Sequence, residues 1–89
     1  MTITNNEPLS QFEVAVNGGL AVLRYRLHAD SMFLLHLEVP SDSRGRGIAG
    51  ELSQAALDFA AGRGLKVVPV CSYVAAYIRR HPEYSALVR

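Results

Sequence analysis

The stretch MFLLHLEVPSDSRGRGIAGELSQAALDFAAG, residues 32–62, decides the fold. Met32 to Val39 are mostly apolar and stop at Pro40, which has no N–H to give to a sheet, so they read as a strand. Ser41 to Gly47 form a polar, glycine-containing loop. From Gly47 onward Ile48, Leu52, Ala55, Ala56, Phe59 and Ala60 recur at the 3.6-residue period of a helix buried along one stripe. Gly62 and Gly64 end that helix. Leu65 to Val70 make the next strand, and Pro69 leaves it locally unpaired, bulged or at an edge. A strand, a helix and a strand in this order predict a right-handed crossover joining two parallel strands.

Upstream, Phe12, Val14 and Val16 alternate with polar or small residues, as in a half-buried strand. Asn17-Gly18-Gly19 is a hairpin signal. Ala21, Leu23, Tyr25 and Leu27 then alternate with Arg24, Arg26 and His28, and a turn over His28–Ser31 leads into the strand at Met32. Downstream, a short helix over Ser72–Arg80 turns Val74, Tyr77 and Ile78 inward and stops before Pro82. The expectation is an α+β chain: antiparallel hairpins leading into a mixed sheet, a strand–helix–strand crossover and a short C-terminal helix. Residues 1–10 are expected to be a loose N-terminus and residues 11–89 a single domain. No repeat, linker or low-complexity tract interrupts them.

Composition bounds the function. The 89 residues are 49% hydrophobic and 19% charged, which excludes a disordered, acidic or collagen-like chain. A net charge of +1 argues against general nucleic-acid binding, which needs many phosphate-neutralising cations. One cysteine cannot close an internal disulfide and points to a reducing compartment. The common structural zinc patterns need paired cysteines, so no metal site is expected. The first seven residues lack the basic and apolar regions of a signal peptide, and no apolar run is long enough to span a membrane. A cytoplasmic protein is expected.

Four clusters could carry chemistry. Arg44-Gly45-Arg46-Gly47-Ile48-Ala49 joins a strand to a helix N-terminus, where unpaired N–H groups and the dipole favour an anion and glycines let it approach the backbone. That describes a pyrophosphate cradle; read locally, it describes a solvated turn equally well. Cys71-Ser72 sits where a strand ends and a helix begins, a place that favours a nucleophilic thiolate, although a free cysteine is more often a small buried residue. His36 and Glu38 are one pleat apart on one side of their strand, with Met32 and Leu34, while Phe33, Leu35, Leu37 and Val39 take the other side. Either of the pair can act as a base, or be a satisfied histidine and a surface glutamate. If the strands before and after the long helix are parallel, His36, Glu38, Cys71 and the arginine–glycine loop meet at one end of the sheet, where ligand crevices lie. Arg79 to Tyr84 reads first as a helix stop and second as a flap over a ligand.

Arg44-x-x-Gly47-x-Ala49 resembles the Arg/Gln-x-x-Gly-x-Gly/Ala signature of the GNAT acetyltransferase superfamily. Together with Val39-Pro40, Pro69-x-Cys71-Ser72-Tyr73-Val74 and His81-Pro82-Glu83-Tyr84, it is similar to the small stand-alone group of that superfamily called the YjdJ type. The resemblance runs from about Phe12 to the C-terminus. It implies a truncated GNAT fold with a splayed mixed sheet and acetyl-CoA or CoA as ligand. The implied cofactor-binding residues are Val39, Arg44, Gly45, Arg46, Gly47, Ile48, Ala49 and Ser72. The implied catalytic residues are Cys71, as acyl acceptor, His36 and, more weakly, Glu38. Leu37 stands where the small relatives usually carry threonine. The helices with which larger members build an acceptor site have no counterpart in 89 residues. The resemblance thus implies an acetyl-CoA-dependent N-acetyltransferase acting on an amine, with a protein lysine or N-terminus among the candidates, directly or through Cys71. The alternative is a CoA- or acyl-CoA-binding module without catalysis. No nucleic-acid or membrane partner is expected, and the chain would be a monomer or weak dimer.

Overall fold

The computed structural model describes residues 2–89. Five strands, β1 (Thr4–Asn6), β2 (Gln11–Val16), β3 (Gly19–His28), β4 (Ser31–Glu38) and β5 (Lys66–Pro69), form one sheet in chain order. The first four run antiparallel and β4 pairs parallel to β5 across the helix α1 (Ile48–Gly62). The helix α2 (Ser72–Arg80) follows, and 3-10 turns occupy Glu7–Leu9, Ser41–Ser43 and Pro82–Leu87. The mixed α+β architecture and the parallel crossover are as expected. No helix among the described residues is long and apolar enough to cross a membrane.

The core lies on one face of the sheet. Phe12, Val14, Leu23, Tyr25, Met32, Leu34 and Val67 pack there against Ile48, Leu52, Ala56, Leu57 and Ala60 of α1 and Val74, Tyr77 and Ile78 of α2. Ser53 is fully buried in α1 and stays satisfied because its hydroxyl donates to the Ala49 carbonyl at 2.8 Å. The end of α1 is closed by the N–H of Leu65, which donates to the Ala60 carbonyl at 2.9 Å.

The N-terminus corrects the expectation of a loose segment. Thr4–Asn6 pair with Gln11–Glu13 as the edge strand. Asn5 accepts a 2.7 Å hydrogen bond from the Tyr25 hydroxyl, and Asn6 donates to Glu13 at 3.1 Å. These are polar ties; Thr4-Asn5-Asn6 carries no alternation of apolar and polar residues for a sequence reading to detect. At the other edge the C-terminal residues cover β5: Val88 bridges Val67, and Arg89 donates to the Val67 carbonyl and pairs with Asp30 at 2.7 Å.

Burial opposes the ionisation of three tyrosines. Tyr25 and Tyr77 are pushed above the usual value of 10.0, burial being the main cause. Tyr84 is pushed up to about 12, by burial first and then by its hydrogen bond to Asp58 at 2.8 Å. The fold holds each as the neutral phenol. The stability this contributes is complete below the unfolded value near 10.0 and is lost as pH rises towards the folded value of about 12. Alkaline titration followed by tyrosinate absorbance is expected to show delayed ionisation, with loss of the fold as these three ionise. Simple ionisation of all four tyrosines near the free value would contradict this packing.

Candidate functional site

The site is built where β4 and β5 stop pairing. Their register runs from Ser31 opposite Lys66 to Leu34 opposite Pro69. Pro69 has no N–H to continue the ladder, the Val70 N–H turns back to the Val68 carbonyl at 3.0 Å, and the Cys71 N–H reaches the Leu34 carbonyl at 2.9 Å. Beyond that bond β4 continues to Glu38 without β5 beside it.

A bulge lies at the same place. Tyr25 of β3 faces Leu34 and Arg24 faces His36, which leaves Leu35 without a partner. One extra residue reverses the phase of the strand. Met32 and Leu34 face the core before the bulge, and Leu37, opposite the buried Leu23, faces it afterwards. His36 and Glu38 therefore share a face, as expected, but it is the open face and not that of Met32 and Leu34. Their side chains are 58% and 64% exposed, with 3.8 Å between His36 Nε2 and Glu38 Oε2. A protonated imidazole would form an ion pair at that distance.

The loop after β4 is fastened at two points. The Ser43 hydroxyl is buried and donates to the Asn17 carbonyl at 2.8 Å, which ties the loop to the β2–β3 hairpin. Arg44 Nε donates to the Val39 carbonyl at 3.2 Å, leaving the terminal nitrogens of its forked guanidinium for another acceptor. Gly45 and Gly47 have φ of +80° and +77°, and a Cβ on either would meet nothing within 4 Å. Internal packing therefore does not require glycine there; the left-handed backbone does, and the space beyond it is open. Gly47 is the N-cap of α1 and brings no side-chain cap to the first-turn N–H groups. That leaves the positive end of a 15-residue helix free to meet an anion.

These parts line a cleft of about 560 Å³. His36, Leu37, Glu38 and Val39 form one side, Ser43, Arg44, Gly45, Gly47, Ile48 and Ala49 another, and Tyr73 of α2 closes it. The volume suits a small molecule or part of a larger cofactor. Eight of the expected residues thus meet around one space. Val39 is buried, and its carbonyl accepts the Arg44 hydrogen bond. Arg46 is exposed and does not line the cleft. Cys71 and Ser72 also lie outside the lining. Cys71, the N-cap of α2, is a free, half-buried thiol packed against the core. Tyr73 stands in the Pro69–Val74 motif but is given no site role by the sequence, because only the packing of α2 on α1 brings it to the helix start: a Cβ on Gly50 would lie 3.6 Å from its hydroxyl. The segment expected as a helix stop behaves as one. His81 stacks on Tyr77 with 3.9 Å between centroids, and Tyr84 donates to Asp58 of α1.

Comparison with known proteins bears on this arrangement. A sequence profile of GCN5-related N-acetyltransferases matches residues 11–87. The protein NATD1 of Xenopus tropicalis is 41% identical over 75 residues, covering 81% of this chain and 69% of that protein. NATD1 of Mus musculus is 43% identical over 75 residues, covering 81% of this chain and 68% of its own. A solution structure of a GCN5-like protein from Staphylococcus aureus superposes with a TM-score of 0.77 at 21% identity, over 99% of this chain and 87% of that one, a likeness of fold.

Proposed function

The chain belongs to the GCN5-related N-acetyltransferase family, and from that premise we propose that it transfers an acetyl group from acetyl-CoA to an amine in the cleft beside β4. The observation that carries the reading is the uncapped start of α1, behind two left-handed glycines, opening on the same space as His36 and Glu38. The chain is an acetyltransferase; the donor site, the proton acceptor and the kind of amine are what is proposed.

The residues present fit the donor. Its pyrophosphate needs convergent N–H groups and a forked cation, and the first turn of α1 with Arg44 offers these. When bound, acetyl-CoA supplies an activated acetyl thioester. An amine at neutral pH is mostly protonated and must lose a proton before it can attack. His36 Nε2 accepts that proton, and Glu38, 3.8 Å away, faces the imidazolium so formed. Tyr73, across the cleft, carries a hydroxyl proton for the departing thiolate. The free thiol of Cys71 suits a reducing setting such as the cytoplasm.

The test is a calorimetric titration of the whole chain with acetyl-CoA and CoA, with ATP and NAD as controls. Selective binding of the CoA pair is expected. Absence of binding would overturn the donor site and leave the loop a simple turn. Binding without transfer to any of a panel of amines would favour the non-catalytic CoA-binding module.

A second reading, an acetyl-Cys71 intermediate, draws on one observation: the Cys71 N–H holds the carbonyl at which β4 and β5 part, so the thiol lies near the cleft although it does not line it. With direct transfer, Cys71→Ala is expected to keep acetyl transfer within about three-fold, since deleting one sulfur from a half-buried position disturbs packing only slightly. Loss of transfer with CoA binding retained, together with an acetyl adduct on wild-type Cys71 by intact mass, would move the chemistry to the thiol.

A further inference from the structure

The face of the sheet turned away from both helices holds a second cavity, of about 360 Å³, lined by Arg26, His28, Phe33 and Leu35. β3 sets Arg24, Arg26 and His28 at alternate positions on this face, all exposed. Neither arginine has an ion-pair partner among the described residues. Phe33 lies directly across from Arg26, and Leu35, two residues on and turned to the same face, is 40% exposed. The surface is therefore an apolar floor with exposed cations along one side. It is also continuous with the site: Arg24 is the cross-strand neighbour of His36, and Phe33 and His36 stand three positions apart on β4, about 10 Å.

Resting on the acetyl-transfer reading above, we infer that this open face docks the acceptor, and that the acceptor is a peptide segment bearing carboxylates and an apolar side chain beside the amine to be acetylated. The carboxylates meet Arg24 and Arg26, the apolar side chain lies on Phe33 and Leu35, and the amine reaches His36. A small free amine would leave the apolar floor and both arginines unmatched. A nucleic acid fits less well. Glu38 stands on the same face, as does Glu13, held by Gln11 and Asn6. Two arginines among those carboxylates cannot neutralise a run of phosphates.

The experiment uses the whole chain and two short fluorescent peptides, each with one lysine and two leucines, one otherwise rich in glutamate and the other in arginine. By fluorescence anisotropy the acidic peptide is expected to bind at least about ten-fold tighter, with affinity that falls as salt is raised. Arg26→Glu is expected to remove most of that preference and Arg26→Lys to keep it; Phe33→Ser is expected to weaken binding at unchanged salt dependence. Thermal unfolding of each variant checks the fold. Amide shifts caused by the acidic peptide are expected on Arg26, His28, Phe33 and Leu35. Equal binding of the two peptides, indifference to Arg26→Glu, or tighter binding of an oligothymidine than of the acidic peptide would overturn the inference. The peptide comparison reads binding alone, and calorimetry with acetyl-CoA decides the donor site separately, so the two failures are distinguishable.

Discussion

Gly47→Val is expected to weaken acetyl-CoA binding by about 100-fold, or about 2.7 kcal/mol. Gly47 has φ of +77° at the N-cap of α1. A left-handed conformation costs an L-residue about 1–2 kcal/mol, and a β-branched side chain is a poorer fit still. Valine relieves that strain by turning to negative φ, which swings the first-turn N–H groups away from a common focus. Hydrogen bonds from such groups to a charged phosphate are worth about 1.5–3 kcal/mol each, so losing one or two accounts for the effect. The space beyond Gly47 is open in the free protein, so a steric clash within the chain contributes little. Calorimetric titration checks this. A dissociation constant unchanged from wild type would mean that the loop does not hold the donor, whatever else the cleft does.

The second large effect is on turnover. His36→Ala is expected to lower kcat at neutral pH by about 10²–10⁴-fold, the usual contribution of a general base, with acetyl-CoA affinity nearly unchanged. The proton acceptor must be unprotonated to work, so wild-type kcat is expected to rise with pH and then level off. The alanine variant is expected to lose that rise. Glu38→Gln is expected to cost about five-fold at most. Both side chains are more than half exposed and 3.8 Å apart, and exposed ion pairs contribute roughly 0–1 kcal/mol. A Glu38 effect larger than that of His36 would exchange their roles. A pH profile that is flat in the wild type would remove both from proton transfer.

Much of this was legible before any coordinates. The hairpins, the parallel crossover and α2 follow from short-range signals: two-residue alternation in Phe12–Val16 and Ala21–Leu27, the Asn17-Gly18 turn, and the 3.6-residue stripe of α1. The arginine–glycine loop was legible for the same reason, since Gly45 and Gly47 are needed by the local backbone and the helix start lies beside them in the chain. β1 was not, because polar contacts of Asn5 with Tyr25 and of Asn6 with Glu13 hold it across 20 and seven residues.

By itself, then, the sequence determined β2 to β5 and both helices, that a glycine-containing loop runs into the start of α1, and that His36 and Glu38 lie on one side of their strand. The tertiary structure alone decided which side that is. The bulge at Leu35 inserts one residue, and because the strand period is two, every side chain after it changes face. It also decided that Tyr73 enters the cleft while Cys71 and Ser72 stay outside its lining, since the packing of α2 on α1, and not spacing in the chain, sets where the first turn of α2 points. Periodicity is a property of neighbours along the chain. The phase of a bulged strand and the meeting of two helix starts are set by partners far away in sequence.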